Sequence, residues 1–107
     1  MNNNTIAAPI TPLAVSAVIT VRISGSNALS VFSLMTRGGK SVDILSIKPN
    51  YVSLYKFHIK EENLFDDVLA VYFKAPYSFT GEDVVEISFH GNPVLVNAAL
   101  SSIYKLG

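Results

Sequence analysis

Cysteine is absent from this 107-residue sequence, and histidine is scarce. Without cysteine the chain has no disulfide, no thiolate metal ligand and no cysteine nucleophile, which agrees with a reducing compartment. His58 and His90 are the only histidines, so the clustered ligands of a zinc site are missing as well. We therefore expect no metal site in this chain.

Charge of one sign and long apolar runs are also lacking. Eight basic and eight acidic residues cancel, so no overall field attracts nucleic-acid phosphates or anionic lipid. The apolar runs are far shorter than the roughly 20 residues of a membrane helix, and the N-terminus does not read as a signal peptide. These features predict a cytoplasmic protein without a membrane partner.

Nucleotide-binding loops form a third absence. The sequence contains neither G-x-x-x-x-G-K-[ST] nor G-x-G-x-x-G, the glycine-rich patterns that cradle phosphates. We therefore predict that this chain does not itself hydrolyse a nucleotide and holds no catalytic residue.

What the chain does have is enough apolar material for a core. Half of the residues are hydrophobic and 15% are charged, a composition typical of a folded globular protein and not of a disordered one. The length suits one domain, which we place over residues 1–107. Surplus apolar surface is expected to be covered by another subunit or domain.

Hydrophobic periodicity predicts strand, strand, helix, strand, strand, strand, helix, an α+β order. Apolar residues at helical spacing should be buried in the first helix (Ala28, Val31, Phe32, Met35) and in the second (Val96, Ala99, Leu100, Ile103). Pro93 should open the second helix. Strands are expected over residues 5–8, 17–24, 51–59, 68–74 and from 83 onwards. Because the run 68–73 is apolar on both faces, it should be a central strand covered on both sides.

Two charged side chains stand out on the polar faces of predicted strands. Val85, Ile87 and Phe89 alternate with polar residues that begin at Glu86, and Arg22 occupies the polar face of an earlier strand. If the two strands are close, Arg22 and Glu86 would line one pocket as donor and acceptor. The simpler alternative is that they form an ion pair with each other.

Other polar residues permit two interpretations each. His90 lies about 13 Å along the strand from Glu86, too far for a direct acid–base pair. The junction 90–93 leads from a strand to a helix and could hold an anion on free N–H groups, although a tight turn with a hydrogen-bonded structural His90 is the commoner arrangement. Thr80 and Asp83 have capping-box spacing, which favours turn stabilisation.

The stretch Y-S-F-T-G-E-D-V-V-E over residues 77–86, followed by His90-Gly91, resembles the N-terminal domain of the tRNA modification GTPase family (TrmE, also called MnmE). Further matches in the same order are Thr5-Ile6-Ala7-Ala8, Thr11-Pro12, Val21-Arg22-Ile23-Ser24-Gly25, Asp67-Val68 and Lys74-Ala75-Pro76. The resemblance spans essentially the whole chain.

This resemblance implies a fold like the tetrahydrofolate-binding domain of glycine-cleavage aminomethyltransferases, with a mixed sheet and two main helices. It also implies a homodimer that binds 5-formyl-tetrahydrofolate or a related one-carbon tetrahydrofolate, with Arg22 and Glu86 at folate-contacting positions. The full protein would be a GTP hydrolase that, with a flavin-dependent partner of the MnmG/GidA type, places a carboxymethylaminomethyl-type group on the wobble uridine of tRNA. GTP, Mg²⁺ and K⁺ would bind only in a GTPase domain absent from this chain.

The chain also departs from the family pattern. Residues 13–17 read L-A-V-S-A, where the family has a glycine-rich segment with an arginine, and Asn92 stands where a second glycine is usual. Two alternatives stay open beside the binding module, and the altered residues 13–17 favour the second of them. One is an aminomethyltransferase-like domain that transfers a one-carbon unit with Glu86 or Asp83 in acid–base work, and the other is a purely structural dimerisation domain.

Overall fold

A computed structural model describes residues 5–10, 18–36, 47–59 and 63–106. Its elements follow the predicted order and are β1 (Ile6–Pro9), β2 (Val18–Ser24), α1 (Ala28–Met35), β3 (Ser53–Ile59), β4 (Leu64–Phe73), β5 (Val84–His90) and α2 (Pro93–Leu106). The α+β prediction is confirmed. The sequence also predicts a stop of the first helix at Gly38-Gly39, a short extended piece at residues 42–45 and a C-terminal cap at Gly107. These residues lie outside the described ranges.

The strands form one five-stranded sheet in the order β1-β2-β5-β4-β3. Every ladder between neighbours is antiparallel, so the mixed sheet implied by the resemblance is wrong for the described residues. A parallel pair needs a crossover that returns the chain beside its starting strand. Here the segment that contains α1 leads from β2 to β3 at the far edge of the sheet. β5 later inserts between β2 and β4 and runs antiparallel to both.

Both helices cover the same face of the sheet and enclose the core with it. The buried helical residues are those that the periodicity predicts, namely Ala28, Val31, Phe32 and Met35 in α1 and Val96, Ala99, Leu100 and Ile103 in α2. They meet the alternate residues of the strands, among which the rings of Phe57 and Phe89 pack edge to face at 4.9 Å. Such aromatic pairs add about 0.5–1.5 kcal/mol beyond the burial of their area.

The opposite face of the described sheet is largely open, although Ser24 and Val84 on it are buried, and this corrects one prediction. In β4, Val68 and Ala70 are buried, but Leu69 between them is 49% exposed. The strand is thus covered on one side only. It also begins at Leu64, earlier than predicted. Asp66 and Asp67 are poor strand formers, but β3 nevertheless pairs with both.

The turn between β2 and α1 depends on a glycine. Gly25 has a φ of +140°, and a Cβ at this position would lie 2.3 Å from Oγ1 of Thr5, so only glycine is accommodated. Asn27, two residues further on, stands at the N-cap of α1 without a side-chain capping bond. Its N–H instead donates to Thr5 Oγ1 at 3.1 Å, which fastens the start of the helix to the segment before β1.

Candidate functional site

Arg22 and Glu86 lie directly opposite each other on β2 and β5, on the open face of the sheet. The Nε–H and one Nη2–H of Arg22 donate to the same carboxylate oxygen, Oε2 of Glu86, at 3.1 and 2.9 Å. The structure therefore brings the two predicted site residues together, but as an ion pair with no space between them. This is the simpler of the two arrangements that the sequence left open.

The space for a ligand lies beside the pair. A cleft of about 450 Å³ runs from Arg22 and Glu86 to the segment that connects β4 and β5, and its lining residues are Arg22, Phe73, Tyr77, Ser78, Phe79, Val84 and Glu86. Tyr77 and Phe79 are each 85% exposed. The guanidinium carbon of Arg22 lies 4.8 Å from the centroid of the Phe79 ring, within the range of a cation–π attraction.

Polar and aromatic groups are therefore adjacent in this cleft. Because both bonds from Arg22 end on Oε2, the second oxygen of Glu86, Oε1, accepts no hydrogen bond from any described residue. A carboxylate oxygen, a guanidinium and two exposed rings together suit a flat heterocycle with N–H donors and a carbonyl or carboxylate group.

The connection over residues 74–83 is held at its base by Asp83. Its Oδ1 accepts the N–H of Ala75 at 2.9 Å and the hydroxyl of Tyr72 at 3.4 Å, and its carbonyl accepts the N–H of Gly25 at 2.9 Å. Burial, and next the charge and hydrogen bond of Asp83, raise the pKa of Tyr72 above its usual value. Asp83 is not among the residues that line the cleft.

Thr80 ties the same connection to β2. Its Oγ1 lies 2.8 Å from Oγ of Ser24, which is buried, and accepts the N–H of Glu82 at 3.3 Å. No helix begins after Thr80, because β5 starts at Val84, so the capping-box spacing marks a turn. The contact with Ser24 was not foreseen, since it joins residues that are distant in sequence.

His90 lies apart from the cleft and is held by Asp66. The carboxylate of Asp66, which is 9% exposed, accepts the N–H of His90 at 3.2 Å and the Nδ1–H of its ring at 2.6 Å. The β4–β5 ladder ends at the pair Leu69 and Ser88. Beyond that pair, the bonds from His90 to Asp66 take the place of backbone ladder bonds. His90 is thus a hydrogen-bonded structural residue, the commoner arrangement for such a junction.

The helix start that follows His90 is capped by the protein itself. Oδ1 of Asn92 accepts the N–H groups of Val94 and Leu95 at 3.0 and 3.4 Å, and Pro93 has no N–H to offer. These donors are no longer available to an anion, so the anion site considered at residues 90–93 finds no support at these positions.

Two further features bear on function. Among the described residues, no group of three His, Asp or Glu side chains is placed to hold a metal ion. Within that same part of the chain, neither helix has the length and apolar character needed to cross a membrane. Residues 13–17, where the sequence departs from the family pattern, lie outside the described ranges.

Comparison with known proteins gives one consistent set of relatives. The family model described as "GTP-binding protein TrmE N-terminus" matches residues 5–107. Proteins named tRNA modification GTPase MnmE are 47% identical in Helicobacter acinonychis, and 41% identical in both Psychrobacter cryohalolentis and Helicobacter pylori. The matches cover 98%, 96% and 98% of this chain, but only 22%, 20% and 21% of those relatives. The chain therefore spans about a fifth of their length.

Proposed function

The chain belongs to the TrmE N-terminal family, and we propose that it is the one-carbon-tetrahydrofolate-binding and homodimerisation domain of a tRNA modification GTPase acting on wobble uridine. The observation that carries the ligand proposal is the cleft of about 450 Å³ in which Arg22 and Glu86 meet the exposed rings of Tyr77 and Phe79.

The chemistry of a reduced folate matches these groups. Its pterin ring presents adjacent N–H donors, for which Oε1 of Glu86 is an acceptor, while the guanidinium of Arg22 suits the pterin carbonyl or a carboxylate of the glutamyl tail. The rings of Tyr77 and Phe79 offer apolar faces to a flat ligand. The bond from Arg22 keeps the Glu86 side chain in one orientation, so that this side chain loses less conformational entropy when the ligand binds.

The open face of the sheet supports the homodimer proposal. On its β3–β4 half, Leu54 and Leu69 are cross-strand partners that are 67% and 49% exposed, and Val71 next along β4 is half-buried. An open antiparallel face is ordinarily polar, as the neighbouring pair Lys56 and Asp67 is, so this apolar patch is suited to contact with a second copy. The ligand cleft borders it, because Val71 pairs with Glu86.

The activity of the whole protein is also a proposal, since the chain covers about a fifth of its relatives. We place GTP hydrolysis, with its Mg²⁺ and K⁺, in sequence outside these 107 residues. Modification of tRNA would then require the longer protein and its flavin-dependent partner. In this scheme the present domain holds the one-carbon carrier and joins two subunits.

The two alternatives differ in how the structure bears on them. For the aminomethyltransferase-like enzyme, Asp83 is a poor acid–base candidate because Tyr72 and Ala75 already donate to its carboxylate. The purely structural dimerisation domain is favoured by one observation, the direct bond between Arg22 and Glu86, which lets each charge satisfy the other without a ligand.

Calorimetric titration with 5-formyl-tetrahydrofolate tests the proposal. We expect Glu86→Ala and Arg22→Ala to weaken binding about tenfold or more, because a hydrogen bond to a charged group contributes about 1.5–3 kcal/mol. Glu82→Ala is the matched control, since Glu82 is exposed and does not line the cleft.

Unchanged affinity in both variants would refute the assignment of the site. A chain that dimerises but binds no reduced folate would instead establish the structural alternative. One-carbon transfer by the isolated chain would establish the enzyme alternative.

A further inference from the structure

Tyr77 and Phe79 form the aromatic wall of the cleft, and they lie on a segment that is not held in place by burial of these side chains. Tyr77 and Phe79 are both 85% exposed, so little packing holds their rings in place. Apart from the contact of Phe79 with Arg22, their position is therefore set by hydrogen bonds elsewhere in residues 74–83. Three described bonds are turns within the segment, from Tyr77 to Lys74, from Gly81 to Ser78 and from Ser78 to Glu82. The described bonds that tie the segment to the neighbouring strands come from Asp83 and Thr80.

Asp83 joins the two ends of the segment and also joins the segment to the turn after β2. Its carboxylate accepts from Ala75 at one end of the connection, and its carbonyl accepts from Gly25 after β2. Thr80, next to Phe79, adds the contact of 2.8 Å with the Ser24 hydroxyl. Ser24 lies two residues from Arg22 on β2. The strand that carries Arg22 therefore also holds the segment that carries Phe79.

We propose that Asp83 and the Ser24–Thr80 pair are positioning residues that set the aromatic wall of the cleft against the Arg22–Glu86 pair. The inference rests on the proposed folate-type ligand. None of the three residues lines the cleft, so they act through Tyr77 and Phe79 and not by touching the ligand. Substitution of these residues leaves the polar groups of the cleft in place but allows the aromatic wall to move. Ligand binding must then order the wall, which lowers the affinity.

The Ser24–Thr80 pair permits a test that separates positioning from stability. Thr80→Val keeps the shape of the side chain but leaves the buried Ser24 hydroxyl without its partner, which destabilises the fold. Ser24→Ala combined with Thr80→Val removes both partners, which is nearly neutral for stability. The N–H of Glu82, which Thr80 also accepts, is exposed and can bond to water instead. Thr80→Ser retains the hydroxyl. Ser101→Ala on the exposed side of α2 is the control.

The experiment measures the dissociation constant for 5-formyl-tetrahydrofolate by calorimetry and the melting temperature by circular dichroism. We expect Thr80→Val, the double variant and Asp83→Asn to bind about five- to tenfold more weakly, which corresponds to one lost hydrogen bond. Thr80→Ser and Ser101→Ala should bind as the unsubstituted chain does. The double variant should regain the melting temperature that Thr80→Val loses, but not the affinity.

Recovery of full affinity in the double variant would overturn the positioning role while leaving the ligand proposal intact. Absence of folate binding by the unsubstituted chain would overturn both proposals together. The Thr80 variants decide the outcome even if Asp83→Asn fails to fold.

Discussion

At the scale of single residues, Tyr72 links the core to the candidate cleft. Its ring is buried on the covered face, and its hydroxyl donates to Asp83 at the base of the aromatic segment. Burial, and then the negative charge of Asp83, raise the pKa of Tyr72. The folded chain therefore holds the phenolic proton more tightly than the unfolded chain, whose tyrosine pKa is about 10.

This difference predicts how stability depends on pH. The stabilising contribution of the proton on Tyr72 is fully present below about pH 10 and is lost as the pH rises through the folded-state pKa. We expect the free energy of unfolding, measured by urea titration, to fall less steeply above that pH in Tyr72→Phe than in the unsubstituted chain. Tyr51→Phe, at an exposed position, should change nothing. Identical alkaline slopes for all three chains would contradict the prediction.

At the scale of elements, α2 shows how one side chain defines where a helix begins. Asn92 accepts two N–H groups of the first turn, and Pro93 supplies the fixed φ of the first helical position. The buried stripe of α2 then packs on the sheet. The helix start is thus encoded locally, in adjacent residues.

Removal of this cap should cost stability. Asn92→Ala is expected to lower the free energy of unfolding by about 1 kcal/mol, because the first-turn N–H groups lose their acceptor. Asn97→Ala on the exposed side of the same helix should be neutral or slightly stabilising, since alanine has the higher helix propensity. Urea denaturation of the three chains measures both effects. An equal response to the two substitutions would show that Asn92 does not act as a cap.

At the scale of the whole molecule, the sheet separates two surfaces. The helices cover one face. The opposite face carries the polar residues of β2 and β5 and, on β3 and β4, an apolar patch of Leu54, Leu69 and Val71 beside the exposed pair Lys56 and Asp67. A contiguous apolar surface bordered by polar groups is typical of an interaction site. In the proposed homodimer, a second copy covers the apolar patch and comes close to the candidate cleft.

A charge on this apolar patch should separate the subunits. Leu69→Glu places an unpaired carboxylate in the proposed interface, where burial without a partner is costly. We expect sedimentation analysis to give a dimer mass for the unsubstituted chain and a monomer mass for the variant. Val94→Glu on α2, at a residue that is 78% exposed, is the control and should remain a dimer. A dimeric Leu69→Glu chain would exclude this face as the interface.

The site was partly predictable from the sequence. Alternation along β5 placed Glu86 on its polar face, and the same reasoning placed Arg22, so their shared face was a sound expectation. Their direct bond was not predictable, since it depends on the register between two strands that are 64 residues apart. The contacts of Thr80 with Ser24 and of Asp66 with His90 were missed for the same reason, because neither pair has a local sequence signal.

The sequence by itself determined the order and type of the elements, the buried stripes of α1 and α2 and the start of α2 at Pro93. Each of these depends on residues within one or two turns or along a single strand, where periodicity and capping act locally. Only the tertiary structure decided that all described ladders are antiparallel, that β4 is covered on one side and that Arg22 bonds Glu86. Those features depend on which distant segments become neighbours, and such long-range pairing is a property of the whole fold that no local pattern specifies.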